Sequence, residues 1–162
     1  MFKLNKLTSA IQLREEGQLN ESNELLGKLV KDNPENAELN FHYAWSFDVL
    51  GKEAEAAPYY EKALHIGMDD SDTLSATIGL GSTYRTLGEY KKSKQVFERG
   101  IARFPENNAL KTFYSMTLYN LGETNRAMEI LLTCIVETSN DPDVGPYKRA
   151  IGFYADKLND IW

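Results

Sequence analysis

The chain has 162 residues, 42% hydrophobic and 26% charged, which is the length and composition of one ordinary globular domain and argues against disorder. Eighteen Lys and Arg stand against 24 Asp and Glu, for a net charge of −6, which argues against nucleic acid or an anionic membrane as a partner. One cysteine rules out a disulfide framework and a multi-cysteine zinc site. With no apolar run of spanning length and no apolar block behind the basic N-terminus, the expected location is the cytoplasm.

Read from the N-terminus, helical patterns alternate with glycines. Gly17, Gly51, Gly88 and Gly122 are spaced by 34, 37 and 34 residues. That is the period of a helix-turn-helix repeat. The first helix of each copy is predicted to end at its glycine, over residues 7–16, 41–50, 78–87 and 113–121. The second begins near Leu19, Ala54, Tyr90 and Asn125. A glycine at this place permits the positive φ that stops a helix.

The flanking positions agree from copy to copy. Four residues before the glycine lie Leu13, Phe47, Tyr84 and Leu118; seven before it lie the small Ala10, Ala44, Gly81 and Ser115. Five after it lie Ser22, Ala56, Ser93 and Ala127, and nine after it Leu26, Tyr60, Phe97 and Leu131. These spacings share one helix face, where small residues admit a neighbouring helix and large ones fill the space beside it. Pro34 and Pro105 end second helices, and Pro58 is expected early in its helix. The three-residue insertion is expected in a loop over 67–72, with Asp72 as the following N-cap. Residues 142–162 carry a helix start at Gly145-Pro146 and a stripe of Val144, Tyr147, Ile151, Tyr154 and Leu158.

The run Leu80-Gly81-Ser82-Thr83-Tyr84-Arg85-Thr86-Leu87-Gly88-Glu89-Tyr90, with residues 97–105 after it, resembles the tetratricopeptide repeat (TPR). Through Pro58-Tyr59-Tyr60-Glu61-Lys62-Ala63-Leu64 and Phe153-Tyr154-Ala155-Asp156-Lys157-Leu158, the chain also resembles the small TPR proteins of Bacillus-type bacteria. The resemblance implies an all-α solenoid forming one domain over 1–162. Four repeats, at 3–36, 37–70, 74–107 and 108–141, would wind into a right-handed superhelix. A capping helix over about 144–160 would then cover Met128, Leu131, Leu132 and Ile135 of the last repeat.

Candidates for chemistry are few. His42 and His65 sit at unrelated places in the frame, and Cys134 takes a place held elsewhere by Leu29, Ala63 and Gly100. The paired carboxylates lie at helix ends and turns, and Lys91, Lys92 and Lys94 read as a solvated face. Gly79-Leu80-Gly81 lacks the third glycine of a dinucleotide motif. No catalytic, cofactor or metal site is expected.

Binding is the expectation that the resemblance carries. In a TPR stack the first helices line a concave groove. The matching face holds Leu7, Ile11 and Arg14 (with Leu4), then Phe41, Trp45 and Asp48, then Ile78, Ser82 and Arg85, and finally Met116 and Tyr119. Some family members grip a partner's terminal carboxylate with Lys, Asn and Arg. The corresponding places here are Leu7, Ile11, His42, Ser75 and Gly79, which supply neither a fixed cation nor an asparagine. The expected function is therefore a non-catalytic protein–protein interaction module, whose groove takes an apolar segment of another protein or peptide. A homodimer built on the same groove and a peptide-sensing regulator are the alternatives. Phe41 and Trp45 could equally be inter-helix core.

Overall fold

The structure, a computed structural model, describes residues 2–161, with side chains from Lys6 onward; Leu4 of the expected groove lies outside the described side chains. Every element among these residues is helical. They form two compact units, Met1–Glu89 and Tyr90–Trp162. The division falls in the turn after Gly88, inside the third repeat.

The first unit contains α1 (Phe2–Glu15), α2 (Leu19–Asp32), α3 (Ala37–Asp48), α4 (Glu53–Ile66) and α5 (Asp70–Thr86). Each helix packs on the next, and the first helices α1, α3 and α5 also touch in succession. The glycines build the turns. The Gly17 N–H donates to the Arg14 carbonyl at 3.1 Å, and the Gln18 N–H donates to that of Leu13 at 2.8 Å. The same pair of bonds recurs at Gly51 and Gly88, and in the second unit at Gly122. This is the Schellman arrangement, which needs a left-handed residue at its corner. The four glycines take φ of 81°, 68°, 77° and 80°. At Gly88 a Cβ would meet no atom, so the requirement is backbone conformation rather than space.

The small positions do what their spacing predicts. Ala10 and Ala44 are fully buried, and the Ser22 hydroxyl donates to the Ala10 carbonyl at 2.7 Å where α1 and α2 cross. Leu7, Ala10, Leu26, Leu29, Val30 and Leu39 form the core here, with Ile11, Leu25, Tyr43 and Tyr59 packed against it.

Three local expectations are corrected. The N-cap of α5 is Asp69, whose carboxylate accepts from the Asp72 N–H at 2.9 Å; Asp72 is not the cap. The insertion is partly absorbed as an extra turn rather than looped out, so α5 has 17 residues against 12 in α3. Asp70 and Asp72 in the first turn suit the dipole of this longer helix. Pro58 is the sixth residue of α4, past the first turn. Its missing N–H would have met the Ala54 carbonyl, and both residues are exposed, where a lost helix bond costs least.

The second unit contains α6 (Tyr90–Arg103), α7 (Asn108–Asn120), α8 (Thr124–Thr138), a 3-10 turn at Gly145–Tyr147 and α9 (Lys148–Tyr154). Phe97, Leu110 and Leu118 are fully buried, and the Ser93 and Thr117 hydroxyls bond each other at 2.8 Å between α6 and α7. The C-terminal segment differs from the expected cap. Its helix spans seven residues instead of about 144–160. It packs on α8, where a Cβ at Gly152 would lie 3.9 Å from Val136, and in this segment Ile151 is half-buried and Ala155 buried. Tyr147, Tyr154 and Leu158 of the expected stripe are 63%, 48% and 49% exposed, and Met128 and Ile135 stay exposed on α8. The stripe assumed one continuous helical phase, which the 3-10 turn and the helix end at Tyr154 interrupt.

Candidate functional site

Helices α1, α3 and α5 carry the expected groove residues of the first unit, and the glycine turns hold their C-terminal ends in place. The carbonyls of Arg14, Asp48 and Arg85 accept the N–H groups of Gly17, Gly51 and Gly88. The side chains at these places therefore project from backbone fixed by two bonds.

Trp45 is the exposed aromatic of this region, with 41% of its surface open, and Val49, one turn on, is 40% open. The Arg14 guanidinium lies over the Trp45 ring, with its carbon 3.9 Å from the ring centroid. His42 stacks nearly parallel to Trp45, with centroids 6.2 Å apart. Phe41 lies against Trp45 and Tyr60, with centroids at 5.8 and 6.3 Å. Phe41 itself is only 3% exposed. It supports Trp45 from within the fold and offers almost no surface to a partner.

Beneath this surface is a polar clasp joining three helices. Asp48 on α3 accepts from the Tyr60 hydroxyl of α4 at 2.7 Å and from the Thr83 hydroxyl of α5 at 2.9 Å. Burial raises the Asp48 pKa, and these two bonds oppose the rise. Burial, with the Asp48 charge beside it, drives the Tyr60 phenol far above its ordinary range, so it remains a donor. Gly79 makes room for this ring: a Cβ there would stand 2.6 Å from the Tyr60 ring carbon that bears the hydroxyl.

Arg14 and His42 are electrostatically exposed to each other. Burial, and then the Arg14 charge, pull the His42 pKa down to about 4. His42 is thus neutral at pH 7, and its Nδ1 is buried without a hydrogen-bond partner. Burial also lowers the pKa of Arg14, though a guanidinium keeps its proton. The Arg14 Nη1 and Ser82 Oγ atoms are buried without a partner as well.

The expected groove residues thus separate. Trp45 is exposed, and Ile11, Arg14, Asp48, Ile78, Ser82 and Arg85 are half-buried. Leu7 and Phe41 are corrected to interior positions, at 6% and 3% exposure. They face inward because the helix face at that place meets the next helix. In the second unit Met116 and Tyr119 are 40% and 68% exposed on α7.

Sequence reasoning missed the clasp, although it left a signal. Nine residues after the glycine the other copies carry Leu26, Phe97 and Leu131, and only Tyr60 brings a hydroxyl. Nine residues before the glycine, Gly79 stands where the other copies have Thr8, His42 and Phe113. The two exceptions are partners.

Comparisons with known proteins agree with this architecture. The chain is 25% identical over 114 residues to Superkiller protein 3 of Saccharomyces cerevisiae, covering 66% of this chain and 8% of that protein. Among solved structures it is similar to residues 41–end of MamA from Desulfovibrio magneticus RS-1, with a TM-score of 0.73 and 15% identity over 98% of this chain and 86% of that one. It is also similar to YrrB, described as a TPR protein with an unusual peptide-binding site, with a TM-score of 0.71 and 19% identity over 95% of this chain and 77% of that one. At these identities the structural likeness shows the fold alone. Among the described residues no helix is long and apolar enough to cross a membrane. The sequence profile of the Tetratrico peptide repeat family matches residues 37–158, three quarters of the chain, and the chain belongs to that family.

Proposed function

We propose that this repeat protein is a non-catalytic cytoplasmic interaction module whose first unit receives an apolar segment of a partner protein, anchored at Trp45. TPR chains in general are protein–protein interaction modules, and the peptide-binding site of YrrB is a precedent on the same fold. The observation that carries the reading is the exposure of Trp45 on a rigid support: 41% open, covered on one side by Arg14 and backed by buried Phe41. Exposed aromatic surface on a preformed, well-packed base is the usual form of a binding hot spot. The one cysteine, Cys134, is free and buried, in keeping with a reducing compartment.

The test is Trp45→Ala, compared with the unaltered chain by co-purification from native lysate, with mass spectrometry and a thermal melt. The variant should lose a partner that the unaltered chain retains, with binding weakened by about 2 kcal/mol or more. Its melt should fall less than that of Phe41→Ala. A variant that keeps every partner, or that unfolds as readily as Phe41→Ala, removes the groove reading. Sedimentation of the pure chain tests the homodimer in parallel.

A further inference from the structure

The Arg14 guanidinium lies in an aromatic, partly buried setting and makes no ion pair among the described residues. Its carbon sits over the Trp45 ring, and Nη1 is buried with no acceptor. Glu15, the next residue, acts on it favourably through its charge but forms no ion pair with it. His42 is neutral at pH 7 and packs its ring against the same tryptophan. The Asp48 carboxylate already accepts on both oxygens, from Tyr60 and Thr83. A charge withdrawn from water without a counter-ion is costly, and the charge-assisted bond it lacks is among the stronger contacts a ligand can supply.

We infer that the segment bound on Trp45 carries an aspartate or glutamate side chain beside its apolar anchor, and that Arg14 pairs with that carboxylate. The inference rests on the groove reading above and names the chemistry of its occupant. The anchor sits against the open part of Trp45 and Val49, which share a face of α3 one turn apart. The places expected to grip a terminal carboxylate hold Leu7, Ile11, His42, Ser75 and Gly79, with no fixed cation, so the acid is assigned to a residue within the segment and not to its terminus. The cation–π contact holds the guanidinium in place before the ligand arrives, which reduces the ordering required on binding.

The experiment selects binders for the full chain from a displayed library of random nonapeptides, each flanked by fixed sequence so that neither end is free. One selected peptide and its Glu→Gln or Asp→Asn analogue are then titrated against the unaltered chain, Arg14→Gln, Arg14→Lys and Trp45→Ala, with a melt of each. Selected peptides should pair an apolar residue with an acidic one. The amide analogue should bind about tenfold more weakly, as for loss of one charge-assisted bond. Arg14→Gln should erase that ratio, Arg14→Lys should keep part of it, and Trp45→Ala should abolish binding of both peptides. If Arg14→Gln fails to fold, the peptide pair on the unaltered chain and on Arg14→Lys decides the matter. Peptides that need Trp45 but show no acidic preference, or a ratio unchanged in Arg14→Gln, overturn the inference and leave the groove reading standing. Peptides indifferent to Trp45→Ala, or no selection at all, overturn both. A chain that sediments as a dimer and becomes a monomer on Trp45→Ala shows a second copy as the occupant and overturns the inference.

Discussion

Trp45 in the first unit and Met116 in the second hold the same place, six residues before the repeat glycine, and are 41% and 40% exposed. Their settings differ. Trp45 is backed by Phe41, flanked by His42 and covered by a guanidinium, over a clasp that ties α3, α4 and α5. Met116 shares α7 with Tyr119, three residues on and 68% exposed. The second unit shows a further apolar surface at the C-terminal segment, where Tyr147 and Phe153 are 63% and 52% exposed. The equal exposure belongs to these two copies alone: Ile11 and Ser82, at the same place in the other two, are half-buried. Nor does the place fix the chemistry, because Phe41 and His42 are particular to α3 and the guanidinium comes from α1.

Truncating the support should have the largest effect. Phe41→Ala removes a fully packed ring from under Trp45 and should cost about 3 to 5 kcal/mol of stability, read by denaturant melts. A cost near that of an exposed residue would mean the first unit lacks the rigid base described for it.

Acid should act nearly as strongly, through His42. Its folded pKa of about 4 lies below the ordinary 6.5, so the unfolded chain takes up the proton first. Stability from this group is complete above pH 6.5 and is lost as pH falls from 6.5 towards 4, by roughly 3 kcal/mol over that window. Asp48, with its pKa raised, acts in the opposite sense. Melts from pH 7 to 4 on the unaltered chain and His42→Phe check this: the variant should lose the part of the slope that begins near pH 6.5.

Gly79→Ala should come next. Tyr60 is 2% exposed and bonded to Asp48, so it cannot swing away from a new methyl without breaking the clasp. A loss of about 1 to 3 kcal/mol is expected, together with disturbance of the Tyr60 environment in near-UV circular dichroism. An unchanged melt would remove the close approach of α4 and α5.

The smallest effect belongs to the C-terminal segment of the second unit. Tyr147→Ala should change stability by no more than about 0.5 kcal/mol, since the ring is 63% exposed. A larger loss would restore the stripe as a true cap and narrow the contrast between the units.

Most of the scaffold could be read from the chain alone. Glycine at a fixed interval, a large residue four before it and a small one seven before it are local statements about where a helix must stop and which face can admit a neighbour. The Schellman bonds at Gly17, Gly51, Gly88 and Gly122 follow from them. The groove was legible only as a face. Periodicity placed Phe41 and Trp45 together, four residues apart, and could not say which of the two turned inward.

What the sequence determined by itself is therefore the set of elements whose cause lies within one turn of chain: the positive-φ glycines, the proline ends of second helices and the alternation of helices. What only the tertiary structure decided is everything whose cause lies on another helix. Phe41 is buried with Tyr60 of α4 against it, and Asp48 is engaged because Tyr60 and Thr83 reach it from α4 and α5. The aromatic residues Phe153 and Tyr154 at the end of α9 remain exposed for want of a neighbour that covers them, whereas the Asp69 cap of α5 is a local contact three residues long that the sequence offered and the reading missed. The physical reason is common to Phe41, Asp48 and the α9 aromatics: local propensity specifies where a backbone turns, whereas burial and pairing are sums over neighbours that become adjacent only after the chain has folded.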